Sequence, residues 1–189
     1  MYAIECLSQG NIILLQTDTI WGVSCDATDC NAVKKVYIAK KRDESSPMII
    51  LVSGPEMLSK YAEWNHKYDI SKLIGVSLVL PYKGGLCSLL VKKGTVCVRI
   101  PDSQFLRDFI SKFGRPIVST SANIHKQPSP TSRSDIPESI VQAACAIVEN
   151  PENDSKDSTP STVVDLSGKE PGIVREGRNL DRAKQVLKI

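Results

Sequence analysis

Apolar residues along this chain recur in two patterns, short continuous runs and stripes at helical spacing. The runs are rich in Val, Ile and Leu and bounded by Gly, Pro, Asn, Asp or Ser; they predict strands at 11–16, 48–52, 76–81, 95–100, 116–120, 146–148, 162–166 and 172–175. Between them, Asp29 caps a helix to about Lys41, with Ala32, Val33, Val36, Tyr37 and Ala39 on one face and a basic last turn. Ser53, Gly54 and Pro55 open a short helix to about Ala62, because proline in a first turn gives up no helical hydrogen bond. The pattern predicts a further helix over 67–74. Ser103 caps 105–113, where Phe105, Leu106, Phe109, Ile110 and Phe113 form a core-facing stripe until Gly114 ends it.

Strands alternating with helices point to a mixed α/β fold, and 189 residues suffice for one domain, 1–189, with a substantial core. Residues 150–160 are dominated by Asn, Asp, Ser, Lys and Pro and are expected to form a mobile loop inside that domain, since little apolar surface offsets the entropy of ordering them.

Composition narrows the function classes only slightly. With 24 basic and 21 acidic residues intermixed and a net charge of +3, no basic tract singles out nucleic acid as a ligand. The six cysteines include no CxxC pair, and His66 and His125 are not near any cysteine pair, which argues against a zinc site. Cys97 and Cys145 lie in apolar runs, so the cysteines are expected to be reduced, buried thiols rather than a disulfide framework. No stretch approaches the roughly 20 apolar residues of a membrane span, and no export signal opens the chain. A cytoplasmic protein without a membrane contact is the expectation.

Candidate chemistry lies at the ends of the β-rich runs, where α/β folds present ligand contacts. Neither GxxxxGK[ST] nor GxGxxG is present, so a phosphate site must be built differently. Thr17, Asp18 and Thr19 follow the first run and suit either a polar substrate or simple turn chemistry. Lys40, Lys41 and Arg42 end a helix, as a solvated cap or as a triphosphate clamp. Ser119, Thr120, Ser121 and Asn123 place three hydroxyls and an amide in five residues, and Pro160 to Asp165 with Arg175 downstream forms a fourth segment, either a ligand contact or a strand start with a surface charge. Arg99 alternates with Val98 and Ile100, so it faces either solvent or a ligand carboxylate or phosphate.

In this order the segments resemble the YrdC-like family of threonylcarbamoyl-AMP synthases, in its short single-domain form. Thr17-Asp18-Thr19-Ile20-Trp21-Gly22 is similar to the family's Thr-Glu-Thr-Val-Tyr-Gly, Lys40-x-Arg42 to its KxR, Ser121-x-Asn123 to its SxN, and Pro160 to Asp165 to its late strand start. The resemblance implies a twisted, mixed β-sheet flanked by helices around a concave, positively charged cavity. It also implies an activity: L-threonine takes up bicarbonate as a carbamate, which attacks the α-phosphate of ATP and expels pyrophosphate. The product passes to a downstream tRNA threonylcarbamoyl transferase complex, with possible RNA or tRNA contact.

By position, Thr19, Arg99, Ser121 and Ser161 would bind threonine. Lys40, Arg42, Ser46, Thr95, Asn123, Thr131 and Arg175 would bind ATP, with Lys40, Arg42, Ser121 and Asn123 as the catalytic set. Mg2+ would accompany the nucleotide without a dedicated protein ligand. The chain departs from the family pattern at Gln16, Asp18, Trp21, Asp43 and Ser46. Leu51 stands where some members have a threonine-contacting histidine, Ser103 replaces another histidine, and His125-Lys126 replaces a Ser-Gly pair. The same cavity would also suit a non-catalytic module for double-stranded RNA or tRNA, held through phosphates.

Overall fold

Ile13, Leu14 and Leu15 are fully buried and Ile12 nearly so, a burial without alternation that requires cover on both faces of a strand. The computed structural model, which describes residues 2–153 and 159–189, supplies that cover. Strand β1 (Ile12–Gln16) lies inside the sheet, antiparallel to β2 (Trp21–Ser24) and parallel to β7 (Ala144–Val148). With β3 (Ile49–Leu51), β4 (Ser77–Pro81), β5 (Thr95–Arg99), β6 (Ile117–Ser121), β8 (Val163–Asp165) and β9 (Gly172–Arg175), the order is β7-β1-β2-β6-β3-β5-β4-β8-β9. Among the described residues, three pairs are parallel (β1 with β7, β3 with β5, β4 with β8) and the other five antiparallel, so the sheet is mixed.

Helices flank it. α1 (Tyr2–Ser8) packs on β7 and β1 and against α4 (Gln104–Phe113), while α2 (Cys30–Lys40) packs on β1 and α5 (Glu138–Ala143). The Asp29 carboxylate accepts from the N–H groups of Asn31 (2.8 Å) and Ala32 (3.3 Å), satisfying two donors that the first turn of α2 leaves open. Ser103 Oγ accepts from Leu106 N at 3.2 Å, and Gly114, at φ 79°, ends α4 in a left-handed turn that costs glycine no steric strain. Leu106, Phe109, Ile110 and Phe113 are buried as the stripe predicts.

Several elements differ from expectation. β2 is a strand where only turn residues were expected to lead into Gly22; it pairs Gln16 with Trp21 and makes residues 17–20 the tip of a hairpin. The helix expected over 67–74 shrinks to a 3-10 turn at Ile70–Leu73, because the Asp69 carboxylate caps Ser71 inside the segment and Gly75 (φ 83°) follows. α1, α5 and α6 (Leu180–Leu187) are additional, whereas α3 (Pro55–Tyr61) is the expected short helix, with Gly54 rather than Ser53 at its N-cap. Of the loop expected over 150–160, residues 150–153 and 159–160 carry no helix or strand, and 154–158 lie outside the described residues.

The cysteine expectation is corrected. Cys6 is bonded to Cys145 and Cys30 to Cys87, leaving Cys25 and Cys97 as free thiols. The partners are 139 and 57 residues apart, so neither pair is visible as a local motif. Packing of α1 on β7 brings the first pair together, and packing of α2 on the 3-10 turn Ser88–Leu90 the second.

Candidate active site

Most of the buried polar side chains gather around one region of the sheet. Thr17, Thr19, Lys40, Ser77, Arg99, Asn123 and Ser161 are all less than 8% exposed, a burial that polar groups tolerate only with hydrogen-bonding partners. Thr17, Thr19, Arg99 and Ser161 are among the residues of a cleft of about 400 Å3 lined by the β1–β2 hairpin tip, the end of β6, Pro47 to Ile49 before and in β3, Cys97 and Arg99 of β5, Pro160 and Ser161 before β8, and Arg175 of β9, while Lys40 and Asn123 are bonded to Ser121 behind it and Ser77 to Ser161. Arg42 reaches it from just beyond α2. Among the described residues, three arginines and no carboxylate line it.

Arg99 is held from two sides. Its Nη2 donates to Asp18 Oδ2 at 2.6 Å and its Nε to the Gly75 carbonyl at 3.1 Å, with the two charged side chains 4% and 8% exposed. The N–H of Asp102 also donates to Asp18 Oδ2, at 2.7 Å, and Arg178 donates to the Asp18 carbonyl. The other carboxylate oxygen, Asp18 Oδ1, is buried without a hydrogen-bond partner among the described residues. Asp18, which the sequence leaves open between a polar-substrate contact and turn chemistry and which is in neither predicted binding set, is thus the partner that orients Arg99. No local signal distinguishes it, because its partner lies 81 residues away.

On the hairpin tip, Thr17 Oγ1 donates to the Ile20 carbonyl (2.6 Å) and accepts from the N–H groups of Thr19 and Ile20, so the turn is locked by its own hydroxyl. Arg42 donates through Nε to the Ser46 carbonyl (2.9 Å) and through Nη2 to the Pro47 carbonyl (3.0 Å). Ser46 therefore supports the site through its backbone and does not line the cleft. Arg175 grips the Ser161 carbonyl with Nε and Nη2 (3.2 and 2.7 Å), while the hydroxyls of Ser161 and Ser77 are 2.8 Å apart. This close approach requires Gly177, where a Cβ would lie 2.2 Å from the Pro160 carbonyl oxygen.

Lys40, Ser121 and Asn123 form one hydrogen-bonded knot, of which only Ser121 lines the cleft. Asn123 and Thr131 line an adjoining hollow of about 490 Å3 that shares Ser129 with the cleft. Thr95 lines another, of about 340 Å3, sharing Pro47, Val79 and Cys97. Of the predicted residues, Thr19, Arg42, Arg99, Ser121, Ser161 and Arg175 line the cleft, Asn123, Thr131 and Thr95 line the neighbouring hollows, and Lys40 and Ser46 line none of the three. A wider hollow, of about 730 Å3, lies elsewhere and contains none of them; there Arg182 already meets Asp102 (2.8 Å) and Lys72 meets Asp69 (3.6 Å). Leu51 lines the cleft, whereas Ser103 does not: its hydroxyl caps α4 and donates to Glu152 Oε2 at 2.7 Å.

Burial, and after it the neighbouring Arg42 charge, brings the Lys40 amine down from 10.5 to about 7. Between these values the unfolded chain carries a proton that the folded chain lacks, so this group's contribution to stability rises with pH through the window and is constant below it. Above 9.0 the trend is opposed, because burial raises Cys25 and Cys97 and the folded chain keeps thiol protons that the unfolded chain loses. The wild-type protein is expected to gain urea resistance relative to Lys40→Met between about pH 7 and about pH 8.5. Parallel curves for the two proteins would show that Lys40 keeps its proton throughout.

Comparison with known proteins places this arrangement. The sequence profile of the Sua5/YciO/YrdC family, described as telomere recombination, matches residues 5–177. A Methanocaldococcus jannaschii protein is 31% identical over 172 residues, covering 89% of this chain and 80% of the relative. The threonylcarbamoyl-AMP synthase of Pyrococcus abyssi is 31% identical over 178 residues, covering 90% of this chain and 52% of the relative, so the chain spans about half of that protein. The crystal structure of P. abyssi Sua5 complexed with L-threonine superposes with a TM-score of 0.87 at 29% identity, over 98% of this chain and 56% of that one. The match runs through the hairpin tip, the α2 end, the β6 end and β9, all the segments that build the cleft, and the chain belongs to the Sua5/YciO/YrdC family.

Proposed function

We propose that this chain is a threonylcarbamoyl-AMP synthase, joining L-threonine, bicarbonate and ATP and releasing pyrophosphate. The observation that carries the reading is a cleft lined, among the described residues, by Arg42, Arg99 and Arg175 and hydroxyl side chains and by no carboxylate, on a fold shared with a threonine-complexed relative. Such a lining suits two anionic reactants better than a cationic one.

In this reading Arg99 receives the threonine carboxylate while Asp18 and Gly75 hold its other donors, and Thr19, Ser121 and Ser161 offer hydroxyls nearby. Arg42 and Arg175 counter the charge that moves toward the leaving pyrophosphate. Their carbonyl partners at Ser46, Pro47 and Ser161 fix each guanidinium before substrate arrives, which lowers the reorganisation needed during reaction. The carbamate is itself the nucleophile, so positioning and charge neutralisation suffice without a protein nucleophile. Asn123 and Thr131 on one side, and Thr95 on the other, extend the nucleotide site into the adjoining hollows.

Magnesium would arrive with the nucleotide. Among the described residues no group of three or more His, Cys, Asp or Glu side chains could hold a metal ion, and phosphates with water are the usual ligands of magnesium in such sites. The product would be consumed by an enzyme that transfers the threonylcarbamoyl group to tRNA adenosine. No helix among the described residues is long and apolar enough to cross a membrane, and cytoplasmic action is part of the proposal.

Pyrophosphate release from ATP is expected only when both L-threonine and bicarbonate are present, with L-serine much poorer. Nucleotide binding without that dependence would mean a different acceptor. Salt-sensitive tRNA binding with no turnover would replace the enzyme reading by an RNA-binding module.

A further inference from the structure

Lys40 is 1% exposed and among the largest fully buried side chains. Its ammonium donates to the Ser121 carbonyl, to the Asn123 carbonyl at 2.6 Å and to Asn123 Oδ1 at 3.1 Å. A lysine amine carries at most three hydrogens, and three oxygens already face it, so none is left for a phosphate. The Lys40 carbonyl in turn accepts from the N–H of His125 at 2.9 Å. Both ends of one residue therefore grip the segment that leaves β6. Asn123 closes the knot, accepting from Ser121 Oγ and donating through Nδ2 to the Gln127 carbonyl.

The helix end separates this lysine from the arginine two positions on. Lys41 adopts a left-handed conformation (φ 50°) as the cap of α2, and beyond it Arg42 lines the cleft while Lys40 does not. We propose that Lys40 is a positioning residue that anchors the Ser121–Asn123 segment to the end of α2, and that Arg42 and Arg175, not Lys40, contact the nucleotide phosphates. The proposal rests on the reading of the cleft as an ATP site. It predicts that losing Lys40 displaces Ser121 relative to Arg42, two groups that must hold different reactants in register. Turnover is then affected much more than phosphate affinity.

Acylation of native protein with a soluble succinimide ester, quantified residue by residue by mass spectrometry, tests this without a variant. Lys41, exposed and adjacent, is the internal standard. Lys40 is expected to stay at least about 20-fold less modified than Lys41, since an amine held among buried oxygens is inaccessible, and to be unchanged by ATP or inorganic tripolyphosphate. Ready modification in the empty protein that ATP suppresses would overturn the proposal. In a second arm, Lys40→Met is expected to bind tripolyphosphate less than about tenfold more weakly than wild type, with ATP KM similarly preserved, while kcat falls by about 100-fold. A folded Lys40→Met that loses tenfold or more in tripolyphosphate binding would instead make Lys40 a direct ligand; if the variant does not fold, the acylation arm decides alone. Acylation and tripolyphosphate binding do not depend on threonine chemistry, whereas KM and kcat do, so a wild-type protein without threonine-dependent turnover would sink the functional reading and leave this one to be judged by the first two.

Discussion

Arg99→Ala is expected to lower the unfolding free energy by about 3–5 kcal/mol and to reduce threonine-dependent pyrophosphate release by at least about 100-fold. The stability loss comes from what remains behind. Asp18 is 8% exposed, keeps one N–H donor from Asp102 and already has one orphaned oxygen, so removing the guanidinium leaves a buried charge with a single partner. The activity loss comes from removing the group proposed to receive the substrate carboxylate. Urea unfolding of Arg99→Ala and of the double variant Asp18→Asn/Arg99→Ala separates the two effects. The double variant should regain much of the stability and none of the activity, because the amide carries no charge to strand. If it is as unstable as the single variant, the charge-burial account is wrong; if Arg99→Ala retains a threonine affinity like that of wild type, another residue binds the carboxylate.

Reducing the two disulfides is expected to have the second largest effect. In the chain-entropy picture, closing a 57-residue separation (Cys30–Cys87) restrains the unfolded chain by about 4 kcal/mol and a 139-residue separation (Cys6–Cys145) by about 5 kcal/mol, taken one at a time. At about 2–4 °C per kcal/mol for a chain of this size, either loss should lower Tm by about 8–20 °C. Cys30 opens α2, whose far end carries Lys40 and Arg42, so Cys30→Ser should also loosen the site. Thiol titration in denaturant checks the premise directly: two reactive thiols are expected without reductant and six with it. Six in both conditions would remove the prediction. Paired cysteines are rare in reducing cytosol outside hyperthermophiles, so the same titration bears on the compartment in which the chain works.

Much of the sheet was readable because its strands are apolar runs with nothing helical in their period. β1 and β5 fall within a residue of the expected limits, and β9 matches its expected range, Gly172–Arg175. The caps of α2 and α4 were equally legible, since Asp29, Ser103 and Gly114 act on backbone groups within a few residues. β2 was missed because Trp21 to Ser24 is short and contains a glycine, and only its neighbours make it a strand: β1 on one side and β6 on the other. The amphipathic short helices α1, α5 and α6 gave too few turns for a period to emerge.

By itself, the sequence determined the class of fold, the order of the segments that build the cleft and the presence there of Thr19, Arg42, Arg99, Ser121, Ser161 and Arg175. Local pattern marked the strand ends and helix ends, which are set by interactions within a few residues, and the family resemblance, not the pattern, assigned these residues to the site. Only the tertiary structure decided that Asp18 pairs with Arg99, that Lys40 turns inward while Arg42 lines the cleft, and that four of six cysteines are joined. Each of those outcomes rests on a contact between residues at least 57 positions apart, and the direction in which a side chain points follows from what the folded sheet brings against it.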